Sequence, residues 1–223
     1  MYLAECIPTG VKIRSLPPFT GEERESVNVV IETPRDCRVK YSWSEEHECL
    51  QAKKVLPLGS SFPFDFGFIP GTKAEDGDPI DVLVLVDVPL APGAVLEARL
   101  VGVIEAEQTE AVDEQAKKKA KKQKPQRTKT TRNDRLIAVA NITIEYRGIE
   151  HIRDVSPVLL EQIQAFFEQY NRLSGKKFRV IGVRGPKTAT RLVEKAIEAK
   201  QAESAEEASS QEDSENSEEQ EAA

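Results

Sequence analysis

A chain of 223 residues, 39% apolar and 31% charged, is long enough for one domain with a real core, though on the polar side for a globular protein. No apolar run approaches the ~18 residues of a transmembrane helix. Residues 1–10 carry Glu5 and lack the basic flank and apolar centre of a signal peptide, so no membrane partner is expected. Cys6, Cys37 and Cys49 stand at no metal-ligand spacing and fit a reducing, cytoplasmic setting. His47 and His151 are too far apart in sequence to suggest a histidine metal site or a catalytic triad.

The net charge of −7 hides two opposed segments. Residues 115–132 carry nine Lys/Arg and no acid, whereas residues 201–223 carry nine Asp/Glu and no base. The two cancel, so the acidity belongs to the rest of the chain. The acidic tail, built of Glu, Ser, Ala and Gln, lacks the apolar residues that offset the entropy of ordering, and is expected to be disordered. The basic stretch, about 113–132 with Pro125 inside it, lies between two strand-like runs and reads as a loop insertion in a domain spanning 1–200. It can attract nucleic acid or another polyanion, but it has no aromatic residue for base stacking, and a solvated loop is the favoured reading.

In chain order, β-like runs are predicted at 27–32, 80–86, 95–106, 135–144 and 178–183, separated by Gly/Pro turns such as Pro92-Gly93. The run at 80–86 is almost continuously apolar, which predicts burial on both faces. Two helices follow. Ser156 and Pro157 mark the start of the first, with Leu159, Leu160, Ile163, Phe166, Phe167 and Tyr170 along one face. The second runs from near Pro186 to about Lys200, with Leu192, Val193, Ala196 and Ile197 as its stripe. The predicted fold is α+β, mainly β: a small closed barrel with two C-terminal helices packed outside it.

The residues richest in chemistry are Asp76-Gly77-Asp78-Pro79-Ile80-Asp81, preceded by Phe62-Pro63-Phe64-Asp65-Phe66-Gly67. Gly77 and Pro79 force a tight, non-helical path between three carboxylates. Such a turn suits a hard cation, which takes oxygen ligands and commonly uses one or two carboxylates with waters and phosphate. It also suits a plain surface turn, since Asp, Gly and Pro are ordinary turn residues.

With these motifs in order, the chain from about Val29 to Ala196 resembles the soluble, Mg²⁺-dependent inorganic pyrophosphatases of the barrel type. Val29-Val30-Ile31-Glu32 resembles a strand carrying an acidic Glu, and Val39-Lys40-Tyr41 one whose Lys contacts phosphate. Phe62 to Gly67 resembles a Tyr-Pro-x-x-Tyr-Gly element, and Asp76 to Asp81 matches Asp-Gly-Asp-Pro-x-Asp. Phe166-Phe167-Glu168-Gln169-Tyr170 resembles a helix whose Tyr contacts phosphate. The resemblance implies an OB-like barrel, Mg²⁺ as cofactor and hydrolysis of pyrophosphate by a metal-activated water. It implies Asp76 and Asp81 as metal ligands, Asp78 as the catalytic base, and Lys40, Lys54 and Tyr170 as phosphate contacts, with Glu32 beside them. It also implies a homo-oligomer, a hexamer or a dimer.

Several positions depart from the family pattern. Gln108 and Asn133 stand where two metal-ligating Asp are expected, and Arg135 stands for a Lys. Ser42 stands for an acid, Phe62 and Phe66 for tyrosines, Asn171 for a Lys and Lys54 for an Arg. Asp134, Glu107, Glu110 and Asp113 are the nearby carboxylates available as substitutes. Three readings follow: a working pyrophosphatase, a weak or inactive relative that binds a phosphate ligand or polyanion as a regulatory module, or a hydrolase of another pyrophosphate compound.

Overall fold

A computed structural model describes residues 13–21, 23–44, 46–109 and 130–221. Ten strands precede or separate two helices: β1 (Phe19–Thr20), β2 (Ser26–Thr33), β3 (Val39–Ser44), β4 (Cys49–Val55), β5 (Asp65–Phe68), β6 (Asp81–Leu85), β7 (Val95–Thr109), β8 (Thr130–Arg132), β9 (Arg135–Ala140), α1 (Pro157–Arg172), β10 (Lys177–Arg184) and α2 (Pro186–Glu221). Strand pairing runs β2 to β5 to β6 to β9 to β7 and back to β2, a ring of mixed direction in which β6 and β9 are parallel. The OB-like barrel with two outer helices expected from the sequence is thus the architecture found. No helix among the described residues is long and apolar enough to cross a membrane.

Strand alternation splits the core in two. Val82, Val84, Leu136 and Ala138 belong to one cluster, together with Ala189, Val193 and Ala196 of α2. Leu83, Leu85, Ile137 and Val139 belong to the other, with Ile163 and Phe167 of α1. This explains the unbroken apolar run at 80–86: β6 and β9 are covered on both faces.

β7 is the longest strand, and it bends at a register shift between Leu100 and Gly102. β10 lies along its far half, and β8 pairs with its last three residues. β3 and β4 form a separate hairpin. Gly67 lets β5 approach β2, since a Cβ there would lie 2.0 Å from the Val30 carbonyl oxygen.

The structure departs from the sequence reading at several boundaries. The strand expected at 135–144 ends at Ala140, because Asp87 captures the following chain. The Thr143 hydroxyl and the Ile144 and Glu145 N–H groups all donate to its carboxylate. Ser156 sits at the N-cap of α1 but makes no side-chain capping bond, and Pro157 occupies the first turn. The second helix was expected to stop near Lys200, with 201–223 disordered. It continues to Glu221, in a segment rich in the strong helix formers Ala, Glu and Gln. Glu203, three residues past the expected end, bonds both Lys73 and Lys200. Most of the basic stretch lies outside the described residues, but its end, Thr130–Arg132, is strand β8 rather than loop.

Two outcomes follow for stability. Gly67→Ala is expected to cost about 3 kcal/mol or more, because backbone and not a pliable side chain meets the new methyl; urea denaturation measures it. Hydrogen bonds from Thr143 and Ile144, chiefly, hold Asp87 below the usual carboxylate range. Asp87 therefore adds stability above about pH 4 that is lost as pH falls through its lower folded value. Asp87→Asn should be less stable than the parent at pH 7, and the gap should close in acid when both are melted across pH.

Candidate active site

A cleft of about 660 Å³ opens where β2, the β3–β4 hairpin, the 69–80 loop, the ends of β7 and β9, and α1 meet. Glu32, Lys40, Lys54, Asp76, Asp78, Asp81 and Tyr170 all line it. So do the substituted positions Ser42, Phe62, Phe66, Gln108, Asn133 and Asn171.

Local structure places each wall. The 69–80 loop is pinched at its base, where the Ile69 N–H donates to the Ile80 carbonyl and Thr72 Oγ1 bridges Ile69 O and Ile80 N. Gly77 turns with φ +94°, so the chain folds back and Ala74 N bonds Asp78 O at 2.8 Å. The loop is fastened to α2 by Lys73 N to Ala196 O at 2.9 Å, by Lys195 to Glu75 at 3.2 Å and by Lys73 to Glu203. Asp76 and Asp78 project from the turn, and Asp81 opens β6.

The opposite side is cationic. Lys40 and Lys54 are direct cross-strand partners in the hairpin, which puts both on one face. Lys40 Nζ lies 3.1 Å from Glu32 Oε2, while the Trp43 N–H donates to Glu32 Oε1 at 2.7 Å. Lys54 Nζ stands 3.6 Å from the centre of the Tyr170 ring and donates to Ser174 Oγ at 2.7 Å. Lys176 joins them. It sits just past the end of α1, its N–H bonded to the Asn171 carbonyl at 3.0 Å after Gly175 turns with φ +73°. Asn171 is buried and bonds Phe167 O through Nδ2. It thus shapes the turn that delivers Lys176.

An aromatic floor lies beneath. Phe62 contacts Phe66, Phe166 and Tyr170 at ring-centre separations of 5.5, 5.1 and 5.7 Å. Phe66 offers its ring to Lys40 Nζ at 4.5 Å.

The electrostatics follow from crowding. Burial pushes Asp76 and Asp78 above the usual carboxylate range, and the Asp81 charge pushes the same way. Lys40, Lys176 and Arg135 oppose this at Asp78. Burial also raises Glu32, against the pull of Lys40 and Trp43. Burial lowers Lys54, helped by repulsion from Lys40 and Lys176. The Tyr170 hydroxyl is pushed up to about 12, chiefly by burial, so it stays a neutral donor throughout the working range.

The aspartate turn fits a hard cation. It holds carboxylates that repel one another, and a cation would relieve that repulsion. It does not form a closed cage: among the described residues no three His, Cys, Asp or Glu side chains converge to enclose an ion. The adjoining wall does not fit one. Asn133 Nδ2 donates to Gln108 Oε1 at 3.0 Å, and Arg135 pairs with Asp81 Oδ2 at 2.5 Å. The substitute carboxylates considered from the sequence do not repair this wall. Asp134, just before β9, is taken up by Ala106 N and Arg132. Glu107 pairs with Arg179 at 2.6 Å, and Glu110 and Asp113 lie outside the described residues.

Sequence reasoning missed Lys176, Lys73 and the part Arg135 plays. Lys176 follows a glycine turn with no periodic pattern to mark it. Asp65 was read as part of a site-like motif, but it is fully buried and accepts Arg35 N at 2.7 Å and Leu90 N at 2.9 Å.

Known proteins resemble this chain in sequence and in fold. The family model described as Inorganic pyrophosphatase matches residues 29–201. The inorganic pyrophosphatase of Aeropyrum pernix is 34% identical over 180 residues, covering 79% of this chain and 91% of that protein. That of Helicobacter pylori strain 26695 is 34% identical over 184 residues, 81% of this chain and 95% of that one. The crystal structure of the Thermus thermophilus inorganic pyrophosphatase superposes with a TM-score of 0.71 at 34% identity, covering 85% of this chain and 99% of that one. The chain belongs to the inorganic pyrophosphatase family.

Proposed function

We propose that this protein hydrolyses inorganic pyrophosphate to two phosphates. One observation carries the reading: a turn of three aspartates faces a cluster of lysines across a single cleft, in a chain of this family. A dianionic or more highly charged substrate needs cations on both sides, and the two walls can supply them in different ways.

The family is metal-dependent, and Mg²⁺ is the ion proposed here, because a small hard cation is commonly held by one or two carboxylates plus substrate phosphates. Asp76 and the Oδ1 atom of Asp81 would hold it. When bound it would lower the pKa of a water and neutralise phosphate charge. Asp78 orients the attacking water and takes its proton. The water oxygen bonds to one phosphorus as the bridging P–O bond breaks, and the bridging oxygen leaves with the second phosphate. Lys40, Lys54 and the Tyr170 hydroxyl bind phosphate oxygens and offset the charge that builds on the leaving group, while Lys176 binds phosphate oxygens of the substrate from first contact onward. Glu32 holds Lys40 in position. The Phe66 and Phe62 rings pack the floor but donate no hydrogen bond to substrate.

A cytoplasmic setting is part of this reading, supported by the free thiols of Cys37 and Cys49. So is a homo-oligomer, a dimer or a hexamer. Val88 and Ile144 are exposed on neighbouring loops joined through Asp87, and are apolar side chains that such an assembly can cover.

Phosphate release from pyrophosphate with Mg²⁺ tests the reading. Turnover should disappear with EDTA and fall about 100-fold or more in Asp78→Asn. Background turnover by the folded parent, with other divalent ions also tried, would reject hydrolysis and leave a phosphate-binding role. Lys176→Ala should raise KM about tenfold with a smaller change in kcat, as expected for a group that binds ground and transition states alike; steady-state kinetics separates the two constants.

A further inference from the structure

Beside the aspartate turn, where β9 runs next to β6, the cleft wall is closed by one buried cation and two amides. Arg135 is only 6% exposed. Its Nη1 bonds Asp81 Oδ2 at 2.5 Å, Asn133 Oδ1, and the Asp134 carbonyl at 3.1 Å. Asn133 Nδ2 passes the chain on to Gln108 Oε1 at 3.0 Å. The guanidinium carbon lies 5.3 Å from the ring centre of Phe167 and 5.8 Å from those of Phe66 and Phe178. Its Nε–H is buried with no hydrogen-bond partner, a cost that the surrounding contacts must outweigh.

The consequence for ion binding is direct. A divalent cation of the hard type needs oxygen lone pairs and anionic charge. On this wall Asn133 Oδ1, Gln108 Oε1 and Asp81 Oδ2 already accept hydrogen bonds. The two amides bring no charge, and a guanidinium a few ångströms away repels any ion that approaches. The amide pair also has a physical logic of its own. Two carboxylates at this separation would need a cation between them, whereas two amides hold each other.

We propose that Arg135, braced by Asn133 and Gln108, is a resident cation of the cleft, supplying on this wall the positive charge that a divalent ion would otherwise supply. This rests on the cleft being a pyrophosphate site, and it assigns part of the substrate's neutralisation to the protein itself. Arginine suits the task because its charge is permanent, and here its Nη1 meets the carboxylate and the amide oxygen together.

Manganese binding to the free protein tests this without substrate or turnover. Mn²⁺ alone is titrated into three full-length proteins, and bound ions are counted by the loss of the free Mn²⁺ resonance. The proteins are the parent, the double variant Gln108→Asp/Asn133→Asp, and the triple variant that adds Arg135→Met. The double variant should bind as many ions as the parent, because Arg135 pairs with the new carboxylates. The triple variant should bind one more ion per chain. An equal gain in the double variant would show that Arg135 does not exclude the ion. The absence of any gain in a folded triple variant would overturn the proposal as well. Gln108→Ala provides a milder check should the triple variant fail to fold: its ion count should match the parent, and losing an ion would make the amide a ligand and sink the idea. The count does not depend on hydrolysis, so its failure is distinct from failure of the pyrophosphatase reading.

Discussion

β7 is the constraint on which the rest of the structure depends. Its fifteen residues pair in turn with β2, β9, β10 and β8. Its first half closes the ring, and its second half leaves the ring to carry Gln108 into the cleft. The strand shifts register between Leu100 and Gly102, and Gly102 lets β10 and Ile152 close on it there. A Cβ there would lie 2.5 Å from the Arg184 carbonyl oxygen and 2.6 Å from Ile152 Cβ. One strand thus couples the closure of the core to the position of a cleft wall.

The cleft is organised by where charge is allowed to gather. Acid is concentrated on a loop whose backbone is hydrogen-bonded at its base, so the repulsion among Asp76, Asp78 and Asp81 cannot relax by splaying the turn. Base is concentrated on the hairpin and at the end of α1, where Lys40, Lys54 and Lys176 repel in their turn. A bound polyanion with its cations would relieve both sides at once. Arg135 lies where the two regions meet, ion-paired to Asp81 and stacked on the aromatic floor.

Much of this was legible in the sequence, for reasons that can be traced. The apolar run at 80–86 announced a strand covered on both faces. Asp-Gly-Asp-Pro marked a turn because Gly77 and Pro79 leave the chain few alternatives. Local patterns of this kind survive into the fold. What could not be read depended on pairing across long distances. The end of β9 is set by Asp87, more than fifty residues earlier in the chain. The persistence of α2 past Lys200 goes with the contact of Glu203 with Lys73 across the cleft mouth. Lys176 gains its place from the register of α1 and from a buried asparagine. The substitutions at Gln108 and Asn133 were visible as lost charge, but their hydrogen bond to each other was not, since it requires β7 and β9 to be set side by side.

The fastening of the aspartate loop to α2 bears on how the protein is made. Lys73 N bonds Ala196 O, and Glu75 and Lys73 pair with Lys195 and Glu203. The loop leaves the ribosome early, yet its anchors are synthesised about 120 residues later, which at common elongation rates is roughly 6–24 s. A nascent chain can therefore form its β-ring before the cleft acquires its final shape. Competence for ligand arrives only with the last helix, and a stalled or prematurely terminated product would carry the aspartates without the scaffold that aligns them.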